Sequence, residues 1–236
     1  VNLGVAGTST NGTDYGSLTS ITVSAGATTG TVSFTPTDDT IYEGNETAII
    51  SISTISGADA TESGSQSVTI TIVEDDSTPV VTLSTSATSI AENAGSSLTL
   101  TATLSNATTE DVTVALSTSG TGTEGTDYGT ISDITISAGD TTGTVSFTPT
   151  DDSVYEGNET GTVAISSVSG GSANESGTPQ EVTITITDNE SAPTVTLSTS
   201  DSSIAENAGS SLTLTATLSN ATTADVTVGI STSGTG

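Results

Sequence analysis

From Leu98 to Leu104 the chain places Leu98, Leu100, Ala102 and Leu104 at alternate positions with a threonine at each position between them. A period of two turns one side of a β-strand toward a core and the other toward water. The alternation resumes at Val112, Val114 and Leu116, at Ile134 and Ile136, at Val145 and Phe147, at Val163 and Ile165, and at Val182, Ile184 and Ile186. A first strand near Val80 to Leu83 completes a set of seven. Between them stand turn formers: Asn106 to Thr109, the run TSGTGTEGTDYG from Thr118 to Gly129, Ala138-Gly139-Asp140, Glu156-Gly157-Asn158 and Ser169-Gly170-Gly171. Short strands with polar outer positions and glycine-rich turns predict an all-β, antiparallel two-sheet sandwich. No stretch carries the helical period.

The pattern is repeated. Asp14-Tyr15-Gly16 returns 113 residues later as Asp127-Tyr128-Gly129, and IAENAGSSLTLTATLSNATT at Ile90 returns 114 residues later at Ile204. A unit of this length buries a core of its own, so the expectation is tandem domains rather than solenoid turns. The complete unit is residues 77–190; residues 1–76 match only the later part of a unit and lack its first strands, and residues 191–236 match only the first strands. Both ends are then incomplete, either because the array continues beyond the chain or because the partial units complement one another between molecules.

Charge narrows the possible partners. The 236 residues contain 28 Asp and Glu and no Lys, Arg or His, for a formal charge of −28. Such a chain repels itself, and its counter-charges come from solution. Nucleic acid and acidic membrane surfaces are excluded as electrostatic partners, since both require basic side chains. No apolar run is long enough to span a membrane. The absence of Cys removes disulfides and thiolate metal sites.

In the complete unit the acids at turn positions are Glu92, Asp127, Asp151, Asp152, Glu156, Glu159, Asp188 and Glu190. Alternate loops of a seven-stranded sandwich emerge at the same end. The loops before the fourth strand and after the fifth, with the exit from the seventh, then bring these carboxylates to one pole. Their mutual repulsion is relieved by a hard divalent cation, and calcium, with six to eight oxygen ligands in flexible geometry, suits a mixed Asp, Glu, Asn and carbonyl set better than magnesium. Zinc and copper are poorer choices without His or Cys. Taken singly, each of these loops also reads as an ordinary solvated turn.

A glutamate near the first strand, Asp-Tyr, then Asp-Asp-x-x-Tyr-Glu-Gly-Asn-Glu, then an acidic tripeptide closing the last strand: this order resembles the Calx-β domain, a calcium-binding, immunoglobulin-like sandwich of sodium/calcium exchangers, an integrin and large bacterial surface proteins. The resemblance implies calcium ligands at Glu92, Asp127, Asp151, Asp152, Glu156, Glu159, Asp188, Asn189 and Glu190. In residues 1–76 it implies Asp14, Asp38, Asp39, Glu43, Glu46, Glu74, Asp75 and Asp76, and in the last segment Glu206. Asn189 departs from the family pattern, which often has a third aspartate there.

Function follows in three classes. The first is a calcium-stiffened structural segment of a secreted or cell-surface adhesin or extracellular filament, of bacterial type, whose partners are calcium and neighbouring repeats. The second is a filament subunit joined to identical subunits by strand complementation. The third, an enzyme, is set aside: a catalytic carboxylic acid needs an apolar or aromatic cleft, and the chain offers four Tyr and two Phe and no Ser–His or Cys–His pair.

Overall fold

The computed structural model describes residues 1–234. Residues 77–190 form two facing sheets. One has, in order, strands Ile134–Ile136, Val112–Gly120, Glu159–Ser169, Glu181–Thr187 and Ser89–Ala91; the other has Thr142–Phe147, Leu98–Leu104, Val80–Thr85 and Asn174–Glu175. Pairing is antiparallel except at two edges, where Ser89–Ala91 lies parallel to Glu181–Thr187 and Asn174–Glu175 lies parallel to Val80-Val81. The architecture is an immunoglobulin-like β-sandwich, and no helix occurs among the described residues.

Period-two alternation explains the core. Leu100, Ala102 and Leu104 from one sheet meet Val112, Val114, Val163, Ile184 and Ile186 from the other, all buried. Each fully buried Leu, Val or Ile among them contributes about 1.5–3 kcal/mol. The threonines face outward and pair across strands, as Thr162 does with Thr183, hydroxyl to hydroxyl at 2.9 Å. Tyr128 is expected to pack its ring on the sandwich end with its hydroxyl at the rim; it lies deeper, 1% exposed, its ring stacked on Phe147 with centroids 4.7 Å apart.

The first strand differs from expectation. Instead of one strand at Val80 to Leu83, the chain runs Val80–Thr85 in one sheet, crosses over, and continues as Ser89–Ala91 on the edge of the other. The crossing is what carries Glu92 to the end of the Glu181–Thr187 strand, where its N–H donates to Thr187 O at 3.1 Å.

Residues 1–76 form a three-stranded sheet of Asn2–Gly7, Glu46–Thr54 and Ser67–Ile72 around Tyr15, Leu18 and Ala48. Its open side is an apolar groove of about 310 Å³ lined by Leu3, Leu18, Val32, Phe34, Ile50 and Val68, among others. Val32 is 43% exposed there, whereas Val145, its counterpart, sits in a strand paired with Leu98–Leu104. Residues 191–234 contribute the hairpin pair Val195–Thr199 and Leu214–Leu218, on which Leu197 and Leu214 are exposed.

Two short pairings connect successive repeats. Ile41-Tyr42 lies parallel to Ala107-Thr108, and Val154-Tyr155 lies parallel to Ala221-Thr222. Asn106 to Thr109 is expected to be a turn; its centre is instead a two-residue strand, because its partner belongs to the preceding repeat.

Candidate metal centre

Three loops of residues 77–190 meet at one pole. The loop between Gly120 and Ile134 turns at Thr123 to Asp127, where Asp127 Oδ2 accepts the Thr123 N–H at 2.6 Å. This local ring, common for aspartate in turns, aims the carboxylate at the segment Asp151 to Glu159. That segment is itself fastened by Asp188 at the exit of the last strand. Asp188 Oδ2 accepts the N–H groups of Glu156 at 2.9 Å and Gly157 at 2.6 Å, and its Oδ1 accepts that of Glu190 at 2.8 Å. Gly157 reaches this position with φ +77°, a left-handed conformation that favours glycine. In return the Asp188 N–H donates to Asn158 Oδ1 at 3.2 Å.

The carboxylates gather in two groups. Asp127, Glu156 and Glu159 bring one oxygen each within 4.8 Å of one another, and so do Glu92, Asp188 and Glu190. Glu92 is only 7% exposed, and Glu190 Oε2 is buried with no hydrogen-bond partner. A buried carboxylate oxygen without a donor is costly unless something positive approaches it. The other predicted ligands line the edges. Asp151 Oδ1 accepts the Asn189 side-chain amide at 3.3 Å, and Asp152 Oδ1 accepts the Val154 N–H at 2.7 Å.

Crowding shows in the acidities. Burial, then a hydrogen bond to Glu190 that only the protonated carboxyl can donate, and the charges of Glu190 and Asp188, push the Glu92 carboxyl up to about 7; when both are ionised, Glu190 Oε2 has no donor. Burial and the charges of Asp127 and Glu156 push Glu159 up to about 7 as well. Burial and the neighbouring Asp127, Asp152 and Asp188 raise Glu156. Asp188 goes the other way. Burial pushes it up, but the N–H groups of Glu190, Gly157 and Glu156 together outweigh burial and hold it below the usual carboxylate range.

Residues 1–76 reproduce much of this. Asp14, Glu43 and Glu46 form a third group within 4.8 Å, with Glu46 raised to about 7 by burial and by Asp14 and Glu43. Glu74 takes the role of Asp188, accepting the N–H groups of Glu43 at 2.6 Å and Gly44 at 2.7 Å, while Asn45 Oδ1 accepts the Glu74 N–H. Asp38, Asp39, Asp75 and Asp76 line the same cleft, of about 550 Å³. No counterpart of Glu92 exists in residues 1–76. One difference is plain: Tyr15 Oη is buried without a partner, and Val5 stands where the central repeat has Thr118 beside Tyr128.

Glu206 joins no carboxylate group among the described residues and is exposed. Asn158 and Asn45 are the residues that the sequence reading left out. Each ties the acidic loop to the end of the last strand, and the signal for them is their recurrence inside Glu-Gly-Asn-Glu. The donor set is all oxygen, which matches a hard cation and calcium in particular.

Among curated proteins none matches the chain. Among the solved structures that resemble it in part are two of one kind. One, an apo-form Calx CBD1 domain, shares 19% identity at a TM-score of 0.40, covering 47% of this chain and 99% of that one. The other, CBD12 from CALX1.2, shares 20% identity at a TM-score of 0.38, covering 43% of this chain and 41% of that one. The profile of the Calx-beta domain family matches residues 3–76 and again 74–190. Domains of this family are calcium-binding β-sandwiches with regulatory and structural roles. With both matches together spanning well over half of its length, this chain belongs to the Calx-beta domain family.

Proposed function

We propose that this chain is a structural segment of a secreted or cell-surface adhesin or extracellular filament, in which calcium at the acidic pole of each repeat stiffens a tandem array. Its domains are residues 1–76, 77–190 and 191–236. In the central domain Asp127, Glu156 and Glu159 hold one ion and Glu92, Asp188 and Glu190 hold another, with Asp151, Asp152 and Asn189 completing the shells. In the first domain the ligands are Asp14, Asp38, Asp39, Glu43, Glu46, Glu74, Asp75 and Asp76, and Glu206 belongs to the third domain's set. The observation that carries this reading is the unpartnered, buried Glu190 Oε2 beside Glu92 and Asp188. The acidic pole also faces the next repeat, so an ion there acts on the junction.

The energetic scale supports a stiffening role. A site with a dissociation constant of about 0.1 mM in about 1 mM calcium gains roughly 1.4 kcal/mol per ion. Summed over repeats, that decides between a rod and a flexible string. X-ray scattering and melting curves of the chain in 1 mM calcium and in chelator test the reading. The expected result is a longer, narrower distance distribution and a higher melting temperature with calcium; identical profiles and melting curves would sink it.

A second reading, subunits joined by strand complementation, is favoured by one observation. The apolar groove of residues 1–76 and the exposed face of Val195–Thr199 and Leu214–Leu218 are of complementary type. Sedimentation of the 236-residue chain over a concentration series decides it. Growth into large assemblies supports complementation, and a constant mass removes it.

A further inference from the structure

Successive repeats touch through the same two-residue pairing at both junctions. On one side stands the apolar-Tyr pair inside the acidic loop, Ile41-Tyr42 or Val154-Tyr155; on the other stands Ala-Thr of the next repeat, Ala107-Thr108 or Ala221-Thr222. The pairing is parallel and in the same register each time. Because it is made by backbone, exchanging Ile41 for Val154 does not alter it.

Each half is tied to its own repeat. Thr108 is 1% exposed, its hydroxyl donates to Glu110 O at 2.6 Å, and its carbonyl accepts the Gly139 N–H at 2.8 Å. A Cβ at Gly171 would stand 2.8 Å from the Thr108 side chain, so the strand Glu159–Ser169 and the turn after it brace Thr108 from behind. Thr222 repeats the local bond, donating to Ala224 O at 2.7 Å. The other half is bracketed by carboxylates. Asp152 holds the Val154 N–H, and Asp188 holds those of Glu156 and Gly157, so Val154-Tyr155 is anchored immediately before and after. Asp39 and Glu74 bracket Ile41-Tyr42 in the same way.

We propose that this pairing is a directional repeat-to-repeat lock: the acidic loop of one repeat adds a short strand to the Ala-Thr edge of the next, and ordering that loop closes the junction. The partner surface is the Asn-Ala-Thr-Thr edge of the following repeat. Since both halves recur with the repeat, every junction takes the same orientation, and the carboxylates of a repeat control the junction on its C-terminal side only. The lock stands on the pairing geometry; its control by calcium rests on the functional reading above.

The chain lacks Cys, so spin labels at Thr69→Cys and Thr99→Cys, on exposed strand positions either side of the first junction, report one distance. Pulsed dipolar spectroscopy is run on the full chain with calcium and with chelator, alone and with Ala107→Pro or Tyr42→Pro, each of which removes a backbone N–H from the pairing, beside calcium calorimetry on the same samples. The expected result is a single narrow distance in calcium. It widens about twofold or more, toward that of a flexible linker, on chelation and in either variant, while Ala107→Pro still binds calcium but more weakly, by the factor with which calcium favours the closed junction. A distance as narrow as the parent's in both variants overturns the lock. Bound calcium with no change of width on chelation overturns its control. Absence of calcium binding overturns the functional reading instead, and the variants still decide the lock. Amide exchange in Leu98–Leu104 verifies that Ala107→Pro is folded; if it is not, Tyr42→Pro decides.

Discussion

Asp188→Ala is expected to destabilise the central repeat by about 3 kcal/mol in calcium, the largest effect of any single carboxylate. Three backbone N–H groups end on this one side chain. Hydrogen bonds to a charged acceptor contribute about 1.5–3 kcal/mol each, and water reaching a half-buried site replaces part of that, so the total falls well below the sum. A second term opposes the loss. Removing one negative charge relieves repulsion on Glu92 and Glu156, whose carboxyls are raised in part by Asp188. That relief matters in chelator and is absent when an ion already neutralises the cluster. The destabilisation should therefore be visibly smaller without calcium. Asp188→Asn, which keeps an acceptor but no charge, should fall between. Urea unfolding in calcium and in chelator measures all three proteins, and an Asp188→Ala loss below about 1 kcal/mol in both conditions would show that the loop does not hang on this residue.

The second large effect is that of pH on the calcium-free and calcium-loaded chain. Glu46, Glu92 and Glu159 have carboxyls raised from 4.5 to about 7, with burial the first cause and neighbouring carboxylates the next. Between those limits the native state carries protons that the unfolded chain has released. Stability of the calcium-free chain therefore falls as pH rises from about 4.5 to 7, and is recovered on acidification through that window. This is opposite to a salt-bridged carboxylate. Calcium must displace the same protons, so its affinity rises over that range, by up to about tenfold per pH unit for each proton released. The thermal gain from 1 mM calcium should be large at pH 7.5 and absent at pH 5. Melting curves over pH with and without calcium check both slopes; a calcium-free chain that gains stability steadily from pH 5 to 7.5 would contradict the assigned acidities.

Much of the sandwich was legible because its strands obey one rule. Leu98 to Leu104 and Val182 to Ile186 alternate without interruption, and the structure buries Leu100, Ala102, Leu104, Ile184 and Ile186. What escaped the sequence depends on non-local partners. Ser89–Ala91 is too short to show a period, and it is a strand only because Glu181–Thr187 offers an edge. Ala107-Thr108 reads as a turn because its partner is another repeat's loop. The acidic residues of the pole were legible as turn positions, but their division into two groups was not. That division follows from the crossover that brings Glu92 to Asp188 and Glu190 while Asp127 stays with Glu156 and Glu159. Glu206 shows the reverse: its sequence context copies that of Glu92, yet no carboxylate group forms around it among the described residues.

Calcium binding by these carboxylates is measured most directly by a calorimetric titration of calcium into the chelator-stripped chain at pH 7.5. Saturable binding with a dissociation constant of about 0.1–1 mM, in the range of extracellular calcium modules, is the predicted result, with magnesium at the same concentration failing to displace it. A titration without saturable heat, or magnesium binding as tightly as calcium, would contradict it.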